Sequence, residues 1–104
     1  KKRWLAYFQR TSGAISIDEG ACKAVVQRNR SLLAAGITGC TGLFRAGDVV
    51  DIVDSSGKAI ARGESSFSSV EVAKLMNKTA EEINALYPKR RRLEVVHRDA
   101  LVLL

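Results

Sequence analysis

The chain has 104 residues, of which 17 are Lys or Arg and 11 are Asp or Glu, giving a formal net charge of +6. That length supports one compact domain, and the 46% hydrophobic content is ordinary for a globular chain and excludes wholesale disorder. No apolar stretch approaches the roughly 18 residues of a membrane span, so no membrane partner is expected. The apolar segment Trp4 to Phe8 is too short for a signal peptide.

The chain opens on Lys1, and its only methionine is Met76. It therefore reads as a segment of a longer protein whose main activity lies outside it. Cys22, Cys40 and the single histidine, His97, cannot assemble the usual four-ligand zinc site. The two thiols are expected to be buried or half-buried and unpaired, with a disulfide left open.

Counted by segment, residues 1–30 hold seven basic and two acidic groups (+5), residues 31–88 five and seven (−2), and residues 89–104 five and two (+3). The basic surplus lies wholly at the two ends. Chain ends often lie close together in small domains, so the two surpluses would merge into one patch suited to an anionic partner. The densest run, Lys89-Arg90-Arg91-Arg92, follows Pro88 and is expected to begin in a loop. As an exposed run it would contact phosphate, bind an acidic neighbour, or simply keep the surface solvated.

In chain order, Ala14 to Ile17 alternates weakly and reads as a strand. Asp18 caps a helix over 19–29, with Ala21, Cys22, Val25 and Val26 on one face and Lys23, Gln27 and Arg30 on another. Gly36, Gly39 and Gly42 flank and punctuate a strand over 37–42. They form no phosphate fingerprint, because both Gly-x-Gly-x-x-Gly and the Gly-x4-Gly-Lys-Ser/Thr loop are absent. Val49 to Val53 and Lys58 to Gly63 form a hairpin around the turn cluster Asp54-Ser55-Ser56-Gly57. Ile60 is expected inward and Arg62 outward, and Glu64 to Phe67 to prolong the return strand.

Ser68 and Glu71 have capping-box spacing for a helix over 69–76, and Thr79 and Glu82 repeat it for a helix over 80–87. Leu93 to His97 and Leu101 to Leu104 read as two final strands. The fold class is mixed α/β, mainly β: a small barrel of short strands with about three short helices. No internal repeat or domain boundary is visible.

Hydrolytic chemistry needs a nucleophile oriented by a base, and nothing marks a partner for His97 beyond Asp99 two residues away. A structural His–Asp contact is the expected role. Asp48, Asp51 and Asp54 recur every three residues, which alternates faces on a strand, so they read as strand-end and turn residues.

Three blocks, Gly20-Ala21, Ser31 to Ile37 and Phe44 to Val50, together with Ile60-Ala61-Arg62-Gly63 followed by Phe67-Ser68-Ser69 and a helix, resemble the PUA domain. PUA domains are small RNA-binding pseudobarrels. Lys2 to Ala6, Ser16 to Ala21 and Val96 to Leu103 further resemble the C-terminal PUA region of the bacterial glutamate 5-kinase family. That resemblance implies one PUA domain over 1–104, with 1–13 a linker and first packed segment. It also implies a cytoplasmic, non-catalytic module with a regulatory or assembly role. Its expected partners are the parent kinase domain, neighbouring subunits and structured RNA. No cofactor is expected in this chain, since ATP and magnesium belong to the kinase domain. The RNA face of the family carries over onto Lys23, Arg28, Asn29, Arg30, His97 and Arg98. Lys89, Arg90, Arg91 and Arg92 form a candidate basic loop with no family counterpart. The alternative reading is a structured-RNA-binding PUA module of an RNA-modifying enzyme.

Overall fold

Burial of one face of a curved sheet organises the molecule. The structure is a computed structural model that describes residues 10–104, so the opening Trp segment and the first nine residues of the expected linker lie outside the described residues. Five strands are described: β1 (Gly13–Ile17), β2 (Ile37–Gly42), β3 (Val49–Val53), β4 (Ala59–Glu64) and β5 (Leu101–Leu103). They form one mixed sheet in the order β2-β1-β3-β4-β5. The β1–β3 pair is parallel and the others are antiparallel. Three α-helices are described, α1 (Glu19–Arg28), α2 (Ser69–Leu75) and α3 (Ala80–Leu86), with 3₁₀ turns at Ala34–Gly36 and Arg98–Ala100.

β1 and β4 bury alternate residues, as half-buried strands must, and β3 is β-branched at Val49, Val50, Ile52 and Val53. Ile15, Ile17, Val50, Ile52 and Ala61 enter one core with Phe67, Val72, Leu75, Val95 and Val96. The helix starts are set by local hydrogen bonds. Asp18 accepts the Ala21 N–H at 2.7 Å. Ser68 with Glu71, and Thr79 with Glu82, close two reciprocal capping boxes, as their spacing predicts.

Three details depart from the sequence reading. The inward residues of β4 are Ala61 and Gly63, both buried, while Ile60 is half-buried on the edge of the core. A register shift at Ile52/Val53 puts Ala61 opposite Ile52 and Ala59 opposite Val53. The return strand also stops at Glu64. Beyond it the Ser66 N–H turns to the Val95 carbonyl at 2.7 Å, away from the sheet.

Leu93 to His97, finally, is not a strand. Val95 and Val96 are consecutive and both fully buried, so the segment does not show the alternation of a half-buried strand. The segment instead makes an isolated bridge, Leu32 to Val96. The Leu32 N–H donates to the Val96 carbonyl at 2.8 Å and the Val95 N–H to the Leu32 carbonyl at 2.9 Å. Residues 93–97 thus pin the loop after α1 on one side and the chain after β4 on the other. The seam requires Gly63: a Cβ there would lie 2.6 Å from Val96 Cγ1 and 2.7 Å from the Ala100 carbonyl oxygen.

Candidate nucleic-acid interface

The end of α1 sets the geometry of the basic surface. Asn29 takes a left-handed conformation with φ 52°, and the Arg30 N–H folds back onto the Ala24 carbonyl at 3.0 Å. Asn is among the few residues other than Gly that tolerate this conformation. Asn29 therefore has a structural role as the helix cap, and it reverses the chain so that Arg30 and Ser31 leave the helix toward the 94–98 segment. There the Ser31 hydroxyl accepts the backbone N–H of Arg98 at 2.8 Å, across 67 residues of sequence.

Two concavities follow from this stitch. One, of about 490 Å³, lies between α1 and the 3₁₀ turn, with Asp18, Ala21, Arg28, Arg30 and Gly36 in its wall. Its floor is tight, because a Cβ on Gly36 would stand 2.4 Å from the Ala21 Cβ. The second, of about 330 Å³, is lined by Arg30, Ser31, Leu33, Glu94, His97 and Arg98. A third, of about 370 Å³, lies on the other side of His97 and includes Glu64, Ser66, Arg90, Arg92 and Ala100.

Of the predicted residues, Arg28 and Arg30 share the first concavity, and Arg30, His97 and Arg98 share the second. Lys23 is exposed on α1 and lines none of the three. Lys89, Arg91 and Arg92 are exposed.

Arg90 departs from the expected exposed run. Its guanidinium lies over the Phe67 ring, 3.8 Å from the centroid, and 5.9 Å from the Tyr87 centroid. It also donates to the Ser66 carbonyl. Phe67 and Tyr87 meet edge to face at 5.6 Å, and the Tyr87 hydroxyl donates to Glu71 at 3.1 Å. The bond from the Ser68 backbone N–H holds the Glu71 carboxyl below its ordinary range, and the Tyr87 hydroxyl adds to this. Burial pushes the Tyr87 phenol up, reinforced by Glu71. The residue missed by sequence reasoning is Ser31, read only as part of a longer block. Its position directly after a helix end was its sole local signal.

His97 does contact Asp99, though as a turn cap and not on a strand. Its Nδ1 accepts the Asp99 N–H at 3.1 Å and lies 3.5 Å from the Asp99 carboxylate. With Nδ1 accepting, the imidazole proton sits on Nε2. The three aspartates also take turn and strand roles. Asp48 accepts the Arg45 N–H, Asp54 accepts from Ser56 and Lys58, and Asp51 accepts from Thr11 and Arg62 on the sheet. Cys22 and Cys40 are half-buried and unpaired, and burial raises the Cys40 thiol. Among the described residues no His, Cys, Asp or Glu cluster could hold a metal ion, and no helix is long and apolar enough to cross a membrane.

The family model of the PUA domain matches residues 13–87. Glutamate 5-kinase of Streptomyces avermitilis is 47% identical over 102 residues, which is 97% of this chain and 27% of that protein. Glutamate 5-kinase of Vibrio vulnificus is 40% identical over 104 residues, all of this chain and 27% of that protein. The chain thus spans about a quarter of the length of the curated relatives it matches. Among solved structures, a PUA domain from Aeropyrum pernix K1, determined as a tartrate complex, superposes with a TM-score of 0.62 at 24% identity, covering 83% of this chain and 41% of that one. The archaeal box H/ACA sRNP Nop10–Cbf5 complex does so with a TM-score of 0.57 at 20% identity, covering 88% and 23%. Both structures share the fold.

Proposed function

The chain belongs to the PUA domain family, and from that premise we propose that it is the C-terminal, non-catalytic module of a cytoplasmic glutamate 5-kinase. The parent would transfer the γ-phosphate of ATP to the side-chain carboxylate of glutamate, with ATP and magnesium held by its kinase domain. This module would pack on that domain or a neighbouring subunit and tune assembly or regulation. One observation carries the reading: identity of 38–47% runs over nearly the whole chain, including residues 88–104 beyond the family match. The test is a glutamyl-phosphate assay, trapped as hydroxamate, on the whole parent protein, on the parent truncated before this segment, and on the segment alone. The truncated parent is expected to keep turnover with altered assembly or feedback, and the segment alone to stay at background. Turnover by the purified segment would overturn the reading.

A second role rests on a separate observation, the convergence of Arg30 and Arg98 through Ser31. Two cations from distant segments around one concavity suit a phosphate backbone. Arg28, Arg30, His97 and Arg98 would form a contact surface for structured RNA, with Asn29 holding its helix end and Lys23 at its margin. Six aromatic residues in 104 offer few stacking platforms, which disfavours single-strand stacking. Glutamate reversal of Arg28 and Arg30 should weaken binding to tRNA and lower its salt dependence, whereas reversal of Lys58 and Lys74 should not. Equal sensitivity to both pairs would mean non-specific attraction. The match to glutamate 5-kinases favours the kinase parent over an RNA-modifying one.

A further inference from the structure

The concavity holding Arg30 and Arg98 and the one holding Arg90 and Arg92 share a lining residue, His97. The basic loop, which had no family counterpart, is thereby brought beside the surface described above. We propose that the two concavities form one track for one strand of a structured RNA. Arg30 and Arg98 would hold one phosphate, Arg92 a neighbouring one, and His97 Nε2–H would donate to the strand between them. This rests on the RNA reading and extends it to a new element.

The polar groups fit this assignment. Arg30, Arg92 and Arg98 are exposed, and none of their guanidinium groups has a partner among the described residues. The Arg98 backbone is fixed by Ser31, so its side chain is displayed from an anchored turn. Arg90 is committed to Phe67 and Ser66 and serves as the rigid base of the loop carrying Arg92. His97 Nδ1 is engaged by Asp99, which leaves Nε2–H as its available donor. Its side chain is 24% exposed, and no buried side-chain nitrogen or oxygen among the described residues lacks a partner, so Nε2 reaches solvent.

Charge selects the ligand class. The concavity with Arg30 and Arg98 sets two arginines against Glu94, and the one with Arg90 and Arg92 sets two against Glu64, so each carries one net positive charge. A phosphodiester chain carries one negative charge per unit, one for each concavity. A free polyphosphate instead concentrates several charges in one place.

The experiment measures anisotropy of a labelled hairpin RNA bound to the chain at about 50 and 200 mM salt. The variants are Arg92→Gln, Arg98→Gln, His97→Asn and, as control, Lys74→Gln. Each arginine variant is expected to weaken binding roughly three- to tenfold and to lower the salt slope by about one. His97→Asn keeps an acceptor for the Asp99 N–H but loses the Nε2 donor, so it should weaken binding without changing the slope. If Arg92→Gln behaves like Lys74→Gln while Arg98→Gln is weakened, the shared track is wrong and the RNA reading stands. If the wild type binds no more tightly than a basic protein of equal charge, both fail. Displacement of the hairpin by millimolar pyrophosphate would overturn the track in favour of a small-anion site.

Discussion

Arg90 and Arg98 are eight positions apart in a basic C-terminal segment, yet they occupy opposite situations. Arg90 has an aromatic plane beneath it and a main-chain carbonyl in front of it. Arg98 uses its backbone N–H to join two segments and leaves its guanidinium exposed, without a partner among the described residues. The difference lies in what the fold puts within reach. Around Phe67, Tyr87 and Glu71 a cation completes a structural cluster; around His97 lie Arg30, Glu94, Asp99 and a turn, and among the described residues none of them holds the Arg98 guanidinium. A count of basic residues treats the two as equal, but only the second is free to meet a ligand.

The hardest break of the structural half is Phe67→Ala. Phe67 is fully buried and carries the contacts to both Tyr87 and Arg90. Truncating a buried phenylalanine costs about 3–5 kcal/mol, a large share of the stability of a domain this size. Chemical denaturation followed by circular dichroism should show a midpoint shift of that order, or a chain that no longer folds. A loss under about 1 kcal/mol, below the usual range for a core aromatic, would remove Phe67 from the centre of this cluster.

Arg90→Ala comes next. It removes a charged donor from the Ser66 carbonyl and a cation from the Phe67 face, together worth about 1–3 kcal/mol. Arg90→Lys should recover only part of this, since an ammonium cannot lie flat on a ring while donating sideways. Full rescue by lysine in the same denaturation experiment would show that charge alone matters there.

The capping boxes behind this cluster were legible in the sequence because Ser68 with Glu71 and Thr79 with Glu82 act through spacing within one turn. The β3–β4 hairpin was legible for the same local reason. Arg90 was not, since its partner Ser66 is 24 residues away, and nothing near it in sequence distinguishes it from Arg91. The strand expected over 93–97 failed because β-branched content signals strand propensity, whereas the segment finds only one bridging partner, Leu32, and buries two consecutive valines there. The inward face of β4 was misassigned because the apolar Ile60 was set inward against Arg62, although residues two apart on a strand share a face; the buried face is that of the small residues Ala61 and Gly63. In the candidate interface, the basic residues were legible by charge, but their convergence depends on the Ser31 hydroxyl and the left-handed Asn29.

A smaller effect should appear on acidification. The carboxyl of Glu71 sits below its ordinary range, chiefly through the Ser68 N–H and then the Tyr87 hydroxyl. A lowered folded-state value means that its stabilisation is complete above the unfolded carboxylate range and is lost as pH falls through the folded value. The unfolding midpoint of the wild type should therefore drop toward that of Glu71→Gln as pH is taken from neutral to below about 4. Glu82 and Asp54 are shifted the same way by their own turns, so the comparison must be between wild type and variant at each pH. A gap that stays constant on acidification would show that the Glu71 charge contributes nothing.

The smallest expected effect on stability is the one that separates the two regions most cleanly. Arg98→Gln removes an exposed guanidinium that has no partner among the described residues and leaves its backbone bond to Ser31 intact. The thermal midpoint should correspond to a change within about 0.5 kcal/mol. Ser31→Ala, by contrast, deletes the acceptor of that backbone N–H and should cost about 1 kcal/mol, although it removes no charge. That ordering, with serine above arginine, would show that the backbone bond and not the side-chain charge holds the two segments together. A destabilisation by Arg98→Gln as large as that by Arg90→Ala would mean that the Arg98 side chain is also built into the fold. The arginine around His97 would then not be the free group that RNA contact requires.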